Sequence, residues 1–200
     1  GDVDGAIAAA RQALREDAGH RPAAELLVDL VFTEGRYGEA AAALEGMIEA
    51  GTADAATYHR LGLSYAAMDR LDEAQKALEE ATRRDSTNAQ AFNNLAAVYA
   101  RGANMGASIA ALERVVALDS TYVMALYNLG RAYTDNAELE RGEAMLRRAA
   151  HLDPRHVGVH YALGKILNDL GRYGEASQML SAALALEDRS ASSHFELAKA

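Results

Sequence analysis

Apolar residues recur along this chain at helical spacing. Phe92, Leu95, Ala96 and Tyr99 stand at i, i+3, i+4 and i+7, and Leu71, Ala74, Leu78 and Ala81 mark a second stripe of the same kind. Short breaks separate the stripes. Some contain glycine, as in "EGRYGEA" and "LGRYGEA". Others carry Asp, Ser, Thr or Pro, as in "RDSTN", "LDSTY" and "LDPRH", and these residues suit helix stops and N-caps. The pattern predicts roughly eleven to twelve antiparallel helices joined by tight turns, with no strand.

A second, longer rhythm overlies the first. Leu27, Leu61, Leu95, Leu129, Leu163 and Leu197 follow one another at steps of 34 residues without an insertion. The next position is usually small (Val28, Gly62, Ala96, Gly130, Gly164, Ala198), and Tyr65, Tyr99 and Tyr133 share a phase with Val31 and Leu167. Ala6, Ala40, Ala74, Ser108, Gly142 and Ala176 form another small-residue series, and Leu44, Leu78, Leu112, Leu146 and Leu180 another large apolar one. A strict period in this range marks a stack of identical supersecondary units, each unable to bury its apolar stripe alone. Within a unit, Gly62 and Ala74 allow two helices to approach closely, while Leu61, Tyr65 and Leu78 fill the space between neighbours.

These residues resemble the tetratricopeptide repeat family. Tyr58, Leu61, Gly62, Tyr65, Ala74, Leu78 and Ala81 match its pattern of aromatic, Leu-Gly, Tyr, small, large apolar and Ala. Ser86 stands where the family favours proline, and Pro154 keeps that proline in a later unit. The resemblance covers essentially the whole chain: a half unit at 1–20, full units at 21–54, 55–88, 89–122, 123–156 and 157–190, and the start of a further first helix at 191–200. It implies an all-α fold, a right-handed α-solenoid (superhelix) of helix-turn-helix repeats. The first unit departs from the pattern at Ala24, Val28 and Val31, and histidine replaces the leading aromatic at His160 and His194. Because both ends fall inside a unit, the chain is read as a segment of a longer protein.

Composition narrows the function classes. A formal charge of -9 opposes general binding to nucleic acid or anionic membranes, and the absence of cysteine excludes disulfides and thiolate metal sites. No apolar run approaches the ~18 residues of a spanning helix, so direct membrane insertion is not expected. "GVHYALGK", Gly158–Lys165, has the wrong glycine spacing for a phosphate-binding loop and lies in a predicted helix. His151, His156 and His160 lack a carboxylate at helical ligand spacing and read as structural. No nucleophile or acid–base motif is present, so no catalytic residue, metal or cofactor is assigned.

What remains is a surface. Residues on the first helix of each unit that point away from the packing stripe would, by the family resemblance, line the concave groove that holds partner segments. At steps of 34 they form three ladders: Glu25, His59, Asn93, Tyr127, Tyr161, Phe195; then Leu26, Arg60, Asn94, Asn128, Ala162, Glu196; then Asp29, Leu63, Ala97, Arg131, Lys165, Lys199. The candidate partner-binding residues are His59, Arg60, Asn93, Asn94, Tyr127, Asn128, Arg131, Tyr161 and Lys165. Asn94 and Asn128 resemble the asparagines with which some family members hold a peptide backbone, a role suited to an amide that both donates and accepts. Tyr127–Arg131, Tyr161–Lys165 and Phe195–Lys199 each set a cation four residues after an aromatic ring, which makes them neighbours on a helix. That stripe suits an extended protein or peptide with acidic and aromatic or apolar side chains. Asp135 and Asp169 lie four residues further on, where they could neutralise the cations. The expected function is a non-catalytic protein-interaction scaffold. The alternatives are a self-association module forming homo-oligomers, or the substrate-recruiting repeats of a larger enzyme such as a glycosyltransferase or protease.

Overall fold

The computed structural model describes the backbone of residues 3–197 and the side chains of residues 3–187. The described residues form eleven helices and no strand. α1 (Val3–Glu16) is followed by α2 (Arg21–Thr33), α3 (Tyr37–Glu49), α4 (Ala55–Ala67), α5 (Leu71–Arg84) and α6 (Ala89–Arg101). Then come α7 (Met105–Leu118), α8 (Val123–Asp135), α9 (Leu139–Leu152), α10 (Val157–Asp169) and α11 (Tyr173–Leu197). Two compact units meet between Ser108 and Ile109, inside α7.

The helix ends repeat as strictly as the leucines. The first helices are capped at His20, Asp54, Asn88, Tyr122 and His156, again 34 residues apart. Four of these side chains accept a backbone N–H from the first turn, which satisfies a donor that the helix cannot; Tyr122 does not. Ahead of the caps, Asp17, Asp85, Asp119 and Asp153 each accept the N–H two residues on, closing an Asx turn that ends the preceding helix. The hairpin turns close differently. Gly35, Asp69, Ala103, Ala137 and Gly171 all have φ between 57° and 74°, and the following N–H reaches back to the carbonyl five residues earlier, as in Arg70 to Tyr65 at 2.9 Å. Glycine therefore occupies only two of these five turns.

In the first unit, Ile7, Val28, Val31, Leu44, Met47, Leu61 and Leu78 form one contiguous core. In the second, Leu146, Leu163, Ile166 and Leu167 form one cluster, and Leu126, Ala149 and Val159 another. A fully buried leucine of this kind contributes about 1.5–3 kcal/mol. The helices of a hairpin cross at small residues. Gly130 faces Gly142 so closely that a Cβ on Gly142 would stand 2.8 Å from the Gly130 carbonyl oxygen. A further repeat was not anticipated: the hydroxyls of Tyr65, Tyr99 and Tyr133 donate to Glu45, Glu79 and Glu113 on the preceding second helix. Where the tyrosine gives way to Leu167, the glutamate gives way to Arg147.

One expectation fails at the end of the array. The sequence pattern places a boundary at 190/191, with a new first helix beyond it, but α11 runs unbroken from Tyr173 to Leu197. The position that holds Asp85, Asp119 and Asp153 in earlier units is Glu187, one methylene too long for the Asx turn and a better helix former.

Candidate functional site

The nine candidate residues all lie on first helices: His59 and Arg60 on α4, Asn93 and Asn94 on α6, Tyr127, Asn128 and Arg131 on α8, Tyr161 and Lys165 on α10. Their environments differ between the two units.

In the first unit the polar groups satisfy one another. Arg60 is ion-paired with Asp29. Arg21 bridges Glu25 at 2.7 Å and Asp54 at 2.5 Å, so the acidic start of the face is itself neutralised. The Asn94 amide lies 2.7 Å from His59 Nε2, and burial followed by the nearby Arg60 charge holds the His59 imidazole below its usual pKa. With His59 neutral, Nε2 accepts from the Asn94 amide, so that amide is already engaged. Asn93 keeps a buried Oδ1 with no hydrogen-bond partner.

The second unit presents a different surface. Tyr127, Arg131, Thr134 and Asp135 of α8 and Tyr161, Ala162 and Lys165 of α10 surround a cleft of about 190 Å³. Tyr161 is 56% exposed, an unusual state for a large ring on a helix whose other face is fully packed. The Tyr127 ring has two neighbours: the Arg131 guanidinium lies 5.6 Å from its centroid and the His156 ring 5.3 Å. Gly158 leaves room for this arrangement, since a Cβ there would stand 3.3 Å from the Tyr127 hydroxyl. Among the described residues neither Arg131 nor Lys165 forms an ion pair, and the same holds for Asp135 and Asp169. Asn128 is half-buried on α8 and makes no side-chain hydrogen bond among them.

Four of the nine candidates thus meet in one cleft, and four others lie in the first unit, where Arg60, His59 and Asn94 are tied to internal partners. Phe195, Glu196 and Lys199 fall outside the described side chains. Thr134 and Asp135 were not among the candidates, although they follow Tyr127 by two helical turns and so share its face.

No group of three or more His, Asp or Glu among the described residues could hold a metal ion. His156 Nδ1 caps α10, accepting from Val159 N, and His160 Nε2 lies 2.8 Å from the Pro154 carbonyl. No helix among the described residues is long and apolar enough to cross a membrane.

Comparison with known families finds two sequence models described as Tetratricopeptide repeat, matching residues 1–55 and 59–123 with the first and 138–197 with the second. No curated protein matches the chain. Among solved structures, MamA is 24% identical over 83% of this chain and 97% of its own, with a TM-score of 0.79. A MamA fragment from Desulfovibrio magneticus RS-1 is 21% identical over 86% of this chain and 97% of its own, with a TM-score of 0.80. YrrB, described as a TPR protein with an unusual peptide-binding site, is 20% identical over 90% of this chain and 93% of its own, with a TM-score of 0.77. At these identities the likeness shows the fold, an all-helical α-solenoid of antiparallel hairpins.

Proposed function

Since the chain belongs to the tetratricopeptide repeat family, we propose that it is a non-catalytic interaction scaffold whose α8–α10 face takes an extended partner segment. The observation that carries this reading is the cleft lined by Tyr127, Arg131, Tyr161 and Lys165, whose two cations form no ion pair among the described residues. A folded chain rich in Asp and Glu ordinarily pairs its arginines, as the ion pairs elsewhere on this one illustrate. Leaving Arg131 and Lys165 unpaired contributes little to stability, because exposed pairs at i,i+4 contribute only about 0.3–0.5 kcal/mol. Their charge is available to a ligand carboxylate, and desolvation on binding would strengthen that contact. The rings supply apolar area at small conformational cost, the combination found in interface hot spots. A segment that alternates acidic and aromatic or apolar side chains meets both demands. Asn128, next to Tyr127 on α8 though not part of the cleft lining, has an amide that can both donate to and accept from a peptide backbone. YrrB supports a peptide-binding reading for this fold.

The test is titration of isotope-labelled protein with acidic–aromatic peptides and with their lysine-substituted counterparts. Amide shifts should concentrate on Tyr127–Asp135 and Tyr161–Lys165. Tyr161→Ala and Arg131→Ala should each weaken binding by roughly tenfold, the size of a truncated hot-spot contact. An Arg83→Ala control, on a second helix, should leave affinity unchanged. Equal affinity in the Tyr161 and Arg131 variants would remove the cleft from the interface.

A further inference from the structure

The first unit carries a cleft of its own, lined mainly by the second helices α1 and α3. Leu14 of α1, Leu27 of α2 and Ala42 and Gly46 of α3 give it an apolar lining, and it encloses about 380 Å³, twice the volume of the α8–α10 cleft. Its polar members are Arg11, Arg15 and Glu39.

The 34-residue period explains why the cleft is open here. One period on, Glu45 accepts from the Tyr65 hydroxyl, Arg70 lies 4.5 Å over that ring, and Glu73 stands close by. Arg11 and Glu39, which line the cleft, stand for Glu45 and Glu73, and the fully buried Val31 stands for Tyr65. With valine in the tyrosine position, no ring spans the space between α1 and α3. The outward positions also shrink, because Ala42 and Gly46 stand where α5 carries Lys76 and Glu80. A Cβ on Gly46 would meet nothing within 4 Å.

Charge selects the occupant. Arg11 and Arg36 share the single carboxylate of Glu39, and Arg15 bonds only the neutral Gln12 on its own helix. The rim therefore holds surplus positive charge on a chain whose net charge is -9. We propose that the α1–α3 cleft docks an amphipathic acidic segment of a partner protein, seating its aliphatic side chains between the helices with its carboxylates against Arg11 and Arg15. The net negative charge opposes an anionic bilayer as the alternative occupant, while a short segment feels mainly the local excess.

The probe is a fluorescein-labelled helical peptide with leucines along one face and glutamates beside them, compared with the same peptide carrying lysines. Anisotropy should show saturable binding of the glutamate peptide only, weakened by salt, with amide shifts at Leu14, Ala42 and Gly46. Gly46→Phe fills the cleft from an open position and should cut affinity by roughly tenfold or more without lowering Tm, since it also removes a mid-helix glycine. Arg15→Glu, at an exposed site, should reduce affinity to a similar extent. Absence of saturable binding, equal binding of the lysine peptide, shifts confined to other surfaces, or unchanged affinity in both variants would each overturn the proposal. So would preferential binding to phosphatidylserine vesicles.

Discussion

Ala103 and Ala137 hold φ of 57° and 61° at hairpin turns where Gly35 and Gly171 do the same without a Cβ. For an L-residue this conformation brings Cβ against the following carbonyl, at a cost of about 1–2 kcal/mol. Glycine removes that strain but gains entropy in the unfolded chain, which returns about 0.4–1 kcal/mol. Ala103→Gly and Ala137→Gly should therefore each raise stability by up to about 1 kcal/mol in urea unfolding. The reverse logic applies at the helix crossing of the second unit. Gly142→Ala would press its methyl group onto the Gly130 carbonyl and Thr134 Oγ1, both 2.8 Å away. Backbone cannot move aside as a side-chain tip can, so a loss of about 1–3 kcal/mol is expected. The tight glycines were readable from their phase. The left-handed alanines were not, because alanine, unlike glycine or asparagine, carries no preference for that conformation.

At the scale of elements, the first helices depend on their caps. Asp54 accepts from Thr57 N at 2.9 Å while the Thr57 hydroxyl accepts from Asp54 N at 3.2 Å, a reciprocal capping box on α4. Burial alone would raise the Asp54 pKa, but the Thr57 N–H and the Arg21 guanidinium outweigh it and hold the carboxyl at about 2. An acid with a depressed folded pKa contributes stability above its unfolded value, near 3.9, and loses that contribution as pH falls toward about 2. Asp54→Ala should cost about 1 kcal/mol at neutral pH. It should also flatten the fall in stability between pH ~4 and pH ~2, as followed by circular dichroism of urea unfolding. The breaks between helices were legible from their Asp, Ser, Thr and Pro, but the side chains that cap the first helices are those of His20, Asp54, Asn88 and His156. Which of them bridges to another helix, as Asp54 ahead of α4 does to Arg21 of α2, depends on contacts between helices and is not a local property.

Across the molecule, the tyrosine–glutamate pairs recur in both units and tie each tyrosine to the second helix before it. Burial first, and then the glutamate bond, push the phenols of Tyr65, Tyr99 and Tyr133 up to about 12. An acid with a raised folded pKa contributes stability below its unfolded value, near 10, and loses it as pH climbs toward about 12. Ultraviolet titration should show Tyr65, Tyr99 and Tyr133 ionising late, toward pH 12, and unfolding in urea should remove that late step. The triple variant Tyr65→Phe, Tyr99→Phe, Tyr133→Phe should lose the late step and lessen the alkaline fall in stability between about pH 10 and pH 12.

The chain of residues by itself determined the repeat, the helices and the side of each first helix that turns away from the packing stripe. All three follow from local periodicity: a 3.6-residue helix and a 34-residue unit leave one orientation that buries the leucines. Tertiary structure decided which of the exposed polar groups remain available. Arg60 and Arg131 belong to different ladders on first helices two repeats apart; Arg60 is held by Asp29 of α2, whereas Arg131 forms no ion pair among the described residues, although Asp135 follows it at ion-pair spacing. The opening between α1 and α3 is also a tertiary outcome. Ala42 and Gly46 are ordinary residues singly, and the space they line opens where the next repeat carries the larger Lys76 and Glu80 and a tyrosine in place of the fully buried Val31. Pairing and space are properties of distances between elements, and helical periodicity within an element does not encode them.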